Sequence, residues 1–252
     1  MDVNLTINVA LSTLNNSIKK MSEGYYQIGK NRVAAIDNNC DFPPLAQVLT
    51  EPNGLLAIGG ELTAARLLQA YKQGIFPWFN AGEPVMWWSP NPRMVLFPTE
   101  LKISNSLKKT IKKQPFDVRF NTAYRQVMTC CSQIPRPNQD GTWITPDIIN
   151  AYCELHTLGH AISSECWLGD QLVGGCYGVV IGKMFYGESM FHTQADASKV
   201  AFVHLVERLK NQGVGMIDCQ MKTPLLASFG GREIARDDFI QQLTNLVCEY
   251  LV

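Results

Sequence analysis

From about residue 41 the apolar positions fall into recognisable helical and strand periods. In LTAARLLQAYKQG, residues Leu67, Leu68 and Tyr71 form one apolar face; Thr63 stands where an N-cap is needed and Gly74 where the helix must stop. SLKKTIKK is a short helix with Leu107 and Ile111 inward and four lysines outward. PDIINAYCELHTLG has a Pro near its start and a Gly at its end, a helix signature. AISSECWLGDQLVGGCYGVVIGKMFYGESMF reads as three strands with turns at GD and GK. DASKVAFVHLVERLKNQG is a helix with a stripe through Phe202, Leu205, Val206 and Leu209, ended by Gly213, and VGMIDCQ is the strand after it. That order implies an α+β fold in which a mixed sheet is flanked by helices.

Ahead of this region the pattern is less regular. EPNGLLAIGGEL is a turn-rich loop around a short apolar segment. IFPWFNAGEPVMWWSPNPRMVLFP packs three Trp, three Phe and five Pro into what reads as loop. Residues 1–40 are rich in Asn and Ser, weakly patterned, and expected to be a tail or extension, with Met21 as an alternative start.

Composition narrows the function classes. At 252 residues and 46% hydrophobic content the chain can bury a substantial core. Its formal net charge is zero, so contact with a nucleic acid requires a local basic patch. The eight cysteines have no C-x-x-C spacing and no His partners at metal-ligand spacing. They read as reduced thiols, with no metal site. No run of about 18 apolar residues offers a membrane span, and the N-terminus lacks the pattern of a secretory signal. A cytoplasmic protein is expected.

VGMIDCQ holds the most unusual chemistry, an apolar strand ending in an acid, a thiol and an amide. Strand alternation puts Asp218 and Gln220 on one face and Cys219 with Ile217 on the other. Either the polar pair lines a cleft and Cys219 is core, or the strand simply ends in solvent. Cys219 as a nucleophile would need a His base, and no local signature supplies one. In GESMF, Glu188 lies among apolar and small residues, where an acid needs a partner or a cleft. Alternation separates Phe185 from Glu188; a bulge at Gly187 would bring them together. Trp78, Trp87, Trp88 and Trp143 are either core or flat faces for a base. Lys108, Lys109, Lys112 and Lys113 are a solvated face or a grip on phosphates. The element order resembles the N-acetyltransferase fold, but HTQADASK before the helix has no glycine with which to cradle a CoA pyrophosphate.

EPNGLLAIGGEL, GIFPWF, WWSPNPR, GTWIT, LVGGCYGV, GESMF and IDCQ, in this order, resemble the leucyl/phenylalanyl-tRNA–protein transferases from about Phe42 to Phe239. The resemblance implies a 1–40 extension, longer than the family usually carries, a small N-terminal α/β domain over 41–95, and an acetyltransferase-like catalytic domain over 96–252. It implies an aminoacyltransferase that moves leucine or phenylalanine, and methionine less well, from aminoacyl-tRNA to the N-terminal Arg or Lys of acceptor proteins. The product is marked for N-end rule degradation, and no cofactor, metal or membrane is involved. Asp218, Gln220 and Glu188 are then the catalytic group, with Gln220 holding the amine and Asp218 polarising Gln220. An Asp218→Ala change would act on chemistry and leave the fold intact. Trp78 and Trp143 meet the terminal adenosine, and Cys176, Phe185, Leu205, Leu209 and Ile217 form an apolar pocket for the amino acid. The four lysines meet the tRNA body. An acyl-CoA transferase, a cysteine hydrolase and a non-enzymatic tRNA-binding module stand as the alternatives.

Overall fold

The computed structural model describes residues 18–21, 24–134 and 142–248. The stretch NQDGTWITPD reads from the sequence as a turn, and its first four residues, 138–141, lie outside the described residues. Two sheets organise the chain. The first takes β1 (Ile18–Lys20), β2 (Tyr25–Ile28), β3 (Asn31–Ile36), β4 (Leu55–Gly59), β5 (Phe76–Pro77) and β6 (Met86–Trp88), in the order β1-β2-β3-β4-β6-β5. The described part of the 1–40 extension thus forms strands, and β3 pairs in parallel with β4. Helix α1 (Ala64–Lys72) links β4 to β5, capped by the Thr63 hydroxyl, which accepts from the Arg66 N–H.

The second sheet has the order β13-β7-β12-β11-β10-β9-β8. Its elements in chain order begin with β7 (Arg93–Leu96), α2 (Asn105–Lys113), β8 (Asp117–Phe120) and α3 (Tyr124–Gln133). Next come α4 (Pro146–Thr157), β9 (Ala161–Leu168), β10 (Gln171–Ile181), β11 (Met184–His192) and α5 (Ala197–Asn211). The last are β12 (Met216–Gln220), α6 (Pro224–Ser228), β13 (Arg232–Ile234) and α7 (Arg236–Val247). The expected division after residue 95 falls inside β7. α5 packs on one face of this sheet, while α3 and α4 cover the other together with the first sheet. Gly174 in LVGGCYGV lets α5 come close, since a Cβ there would stand 2.5 Å from that of Ala197.

Trp87 and Trp88 belong to this core and are not exposed stacking faces. Both are fully buried, and their indole N–H groups donate to Gly59 O and Trp78 O at 3.0 and 2.7 Å. A tryptophan whose polar edge is satisfied by backbone can be sealed in at little cost.

One buried ion pair ties the ladders together. Arg93 on β7 donates Nε and Nη2 to Asp218 Oδ1 and Oδ2 on β12, at 2.8 and 2.6 Å. Both side chains are 0% exposed. The guanidinium lies between the rings of Phe76 and Phe239, 4.8 and 4.7 Å from their centroids. Removing one member of such a pair leaves an unmatched buried charge. Asp218→Ala is therefore expected to lower folding stability by about 3–5 kcal/mol, read as the shift in the denaturant midpoint. This corrects the expectation of an intact fold; an unchanged midpoint would contradict it.

Candidate active site

β11 and β12 are paired in parallel for only three residues each: Met184 with Met216, Phe185 with Ile217 and Tyr186 with Asp218. Beyond that point β11 stays with β10 and β12 stays with β7, so the two strands part. A register shift marks each strand at the fork. Along β10–β11, Tyr177 faces Ser189 but Gly178 faces Gly187, so Glu188 is the extra, bulged residue. A Cβ on Gly178 would collide with the Tyr186 carbonyl and the Phe185 ring, so glycine is what lets this bulge close. Along β12–β7 the shift lies between Asp218 and Gln220, and Gln220 takes a left-handed φ of 54°. Its backbone N–H donates to Asp218 Oδ1 at 2.9 Å, which holds that conformation.

A cavity of about 250 Å³ occupies the fork. Cys176, Phe185, Phe202, Leu205, Ile217 and Cys219 give it apolar walls. Glu188 and Gln220 supply its polar rim, with Gln220 Nε2 3.5 Å from Glu188 Oε1. Trp78 and Trp143 also line it, stacked on each other with centroids 5.2 Å apart.

The sequence expectations divide here. Glu188, Gln220, Trp78, Trp143, Cys176, Phe185, Leu205 and Ile217 all line one cavity, and the bulge brings Phe185 and Glu188 together. Asp218 does not line it. The residue that turns away is the carboxylate, sealed by Arg93, and the one that faces the cavity is Cys219. Cys219 is the residue left without a partner at the β12–β7 register shift, and Gln220 takes a left-handed φ directly after it, so Asp218 and Gln220 do not share a face. Leu209 is also corrected: it is fully buried but outside the cavity lining. α5 and β12 run in opposite directions, so the start of the helix, not its end, lies beside the fork. Phe202 stands there instead. The four lysines are exposed on α2, in no ion pair among the described residues.

Tyr71, Tyr152 and Arg93 are site residues that periodicity missed. Tyr71 was readable only as part of an apolar helix face, and Tyr152 as one residue of a helix. Yet Tyr71 OH donates to Glu188 Oε1 at 2.6 Å and lies 2.5 Å from Tyr152 OH, which reaches Glu188 Oε2 at 3.3 Å. Burial pushes the Glu188 carboxyl up to about 7, against the opposing pull of the Tyr71 hydroxyl. Burial pushes the Cys176 and Cys219 thiols up as well, which keeps them protonated and poor nucleophiles. Among the described residues no cluster of His, Cys, Asp and Glu is arranged to hold a metal, and no helix is long and apolar enough to cross a membrane.

The chain is 57% identical to the leucyl/phenylalanyl-tRNA–protein transferase of Chromobacterium violaceum over 206 residues, 82% of this chain and 88% of that one. It is 56% identical to the enzyme of the same name from Nitrosomonas eutropha over 214 residues, 85% of this chain and 91% of that one. Among solved structures it is distantly similar to a GCN5-related N-acetyltransferase-like protein from Streptococcus suis. That likeness has a TM-score of 0.35 and 12% identity, over 68% of this chain and 64% of that one. The family model for the leucyl/phenylalanyl-tRNA protein transferase matches residues 95–244, and the model for its N-terminal domain matches residues 60–91. The chain belongs to the leucyl/phenylalanyl-tRNA–protein transferase family.

Proposed function

We propose that this chain transfers leucine or phenylalanine, and methionine less well, from aminoacyl-tRNA to the N-terminal Arg or Lys of acceptor proteins, marking them for N-end rule degradation. The observation that carries the residue-level reading is the pairing of Glu188 and Gln220 across the fork, at the rim of an apolar cavity. The ester is already activated, so the enzyme's work is alignment and proton handling. The acceptor nitrogen attacks the ester carbonyl carbon, an amide bond forms, and the bond to the tRNA's terminal ribose oxygen breaks.

The nitrogen must give up a proton, and a free α-amine with a pKa of roughly 7.7–8.0 carries one for much of the time at neutral pH. Glu188, titrating at about 7, is matched to accept it and return it to the departing ribose oxygen. Gln220 receives the amine's N–H on its carboxamide oxygen while its Nε2 points to Glu188. Asp218 serves by holding the Gln220 backbone in its turned conformation. The leucyl or phenylalanyl side chain fills the space between Phe185, Leu205 and Ile217. A methylene there is worth about 1–3 kcal/mol of discrimination.

We read residues 96–252 as an acetyltransferase-like catalytic domain, 41–95 as a small N-terminal domain and 1–40 as an extension of it, in a cytoplasmic protein without a cofactor. Against an acyl-CoA donor stands Asp196 at the N-terminus of α5. Its carboxylate, held low in pKa by Lys199, occupies the place where a pyrophosphate would need positive potential.

Glu188→Gln is expected to slow transfer from labelled Leu-tRNA to an Arg-initiated peptide, without CoA, by about 10²–10⁴-fold. Thermal unfolding should change little; turnover near that of the parent enzyme would remove Glu188 from the mechanism. Reversing Lys108 and Lys112 together to Glu should weaken tRNA binding. It should also flatten the slope of log K against log salt by about 1.5–2. An unaltered slope would return this helix to plain solvent exposure.

A further inference from the structure

Glu188 is gripped from two other elements. Tyr71 comes from α1 of the N-terminal part of the chain, and Tyr152 from α4. A phenol has one proton to give. Tyr71 gives its proton to Glu188 Oε1 at 2.6 Å, which leaves its oxygen to accept from Tyr152 at 2.5 Å. The three groups close a ring, since Tyr152 OH also lies 3.3 Å from Glu188 Oε2. Tyr71 is itself fixed twice: its carbonyl accepts from Tyr186 OH at 2.8 Å, and its ring lies against that of Tyr186, centroids 4.7 Å apart. Both phenols are fully buried, so water does not compete for their bonds.

We propose that Tyr71 and Tyr152 are positioning residues that aim the Glu188 carboxylate at Gln220 and keep it available as proton acceptor, so that the N-terminal helix α1 takes part in catalysis. This rests on Glu188 being the proton acceptor in the reading above. The other charged or titratable groups around Glu188 are Tyr124 on α3, Tyr177 on β10, and the Arg93–Asp218 pair. Arg93 is already matched by Asp218 and gives the carboxylate little net charge to lean on. Burial favours the neutral, inert acid, and the phenol donors oppose it. Removing the Tyr71 hydroxyl takes away the short bond to Glu188 and leaves only the longer contact from Tyr152 at 3.3 Å.

The test is the pH dependence of single-turnover transfer, over about pH 5.5–8.5, for Tyr71→Phe, Tyr152→Phe and Glu188→Gln. Phenylalanine keeps the ring and its packing. In Tyr71→Phe the acidic limb should move up by about one pH unit, as expected for losing a bond to an ionised group. At pH 7 that is about a fivefold loss, recovered on the alkaline side. Tyr152→Phe should move the limb the same way by less, and provides the second reading should Tyr71→Phe fold poorly. A loss equal at every pH, or an unmoved limb in both variants, would reduce the tyrosines to packing. Glu188→Gln separates the two ideas. If it abolishes the limb while the tyrosine variants leave it in place, the positioning role alone fails; if the limb survives in Glu188→Gln, the assignment of Glu188 fails with it.

Discussion

The whole site depends on two parallel strands that hold each other for three residues and then let go. Parallel strands that stay paired leave no room between them. Here each is bent away by a register shift at the same level, Glu188 on one side and the step from Asp218 to Gln220 on the other. The gap would be a defect if nothing closed its root. The Arg93–Asp218 pair does so, with two short hydrogen bonds in a fully buried setting. The cavity above it is the room the parting creates, with an apolar interior and one carboxylate–carboxamide pair at the edge.

Both sheets build this site. The N-terminal part contributes Tyr71, Trp78 and Phe76, respectively a donor to Glu188, a wall of the cavity and a ring against the Arg93 guanidinium. The C-terminal helix α7 closes the other side of that guanidinium through Phe239. The ion pair is therefore also a clasp between chain segments more than a hundred positions apart, Arg93 and Asp218 being separated by 125. Breaking a clasp of this kind is costly because it strands the remaining charge, even though the pair as a whole adds little net stability over well-packed apolar residues.

The helices were legible wherever caps and stripes agreed. Thr63 accepts from a first-turn N–H, and Gly74, Gly159 and Gly213 take the left-handed φ that ends a helix or opens the next turn; the caps Ser104 and Thr145 became visible only in the structure. The three strands between residues 161 and 192 were legible from their turns. What alternation could not supply was the irregular residue. It set Asp218 beside Gln220 because it assumes an unbroken ladder, and the break at Gln220 is a tertiary effect made by β7 and the Asp218 carboxylate. Leu209 lay on the right stripe but one turn too far along, since a stripe fixes a face and not a height. Arg93 and the two phenols carry no local signal at all; their partners lie 36 to 125 residues away. The strands of the extension were hidden because they are short and mostly half-buried or exposed, so they carry little apolar periodicity.

The most direct measurement is a crystal structure with an adenosine bearing leucine in amide linkage at its 3′ position. The expected result is a leucyl side chain between Phe185, Leu205 and Ile217, its carbonyl facing Glu188 and Gln220, with Asp218 still clasped by Arg93. A ligand carbonyl in contact with Asp218 and Arg93 pushed aside, or a ligand seated away from the fork, would contradict the assignment of the chemistry to the parting of the two strands.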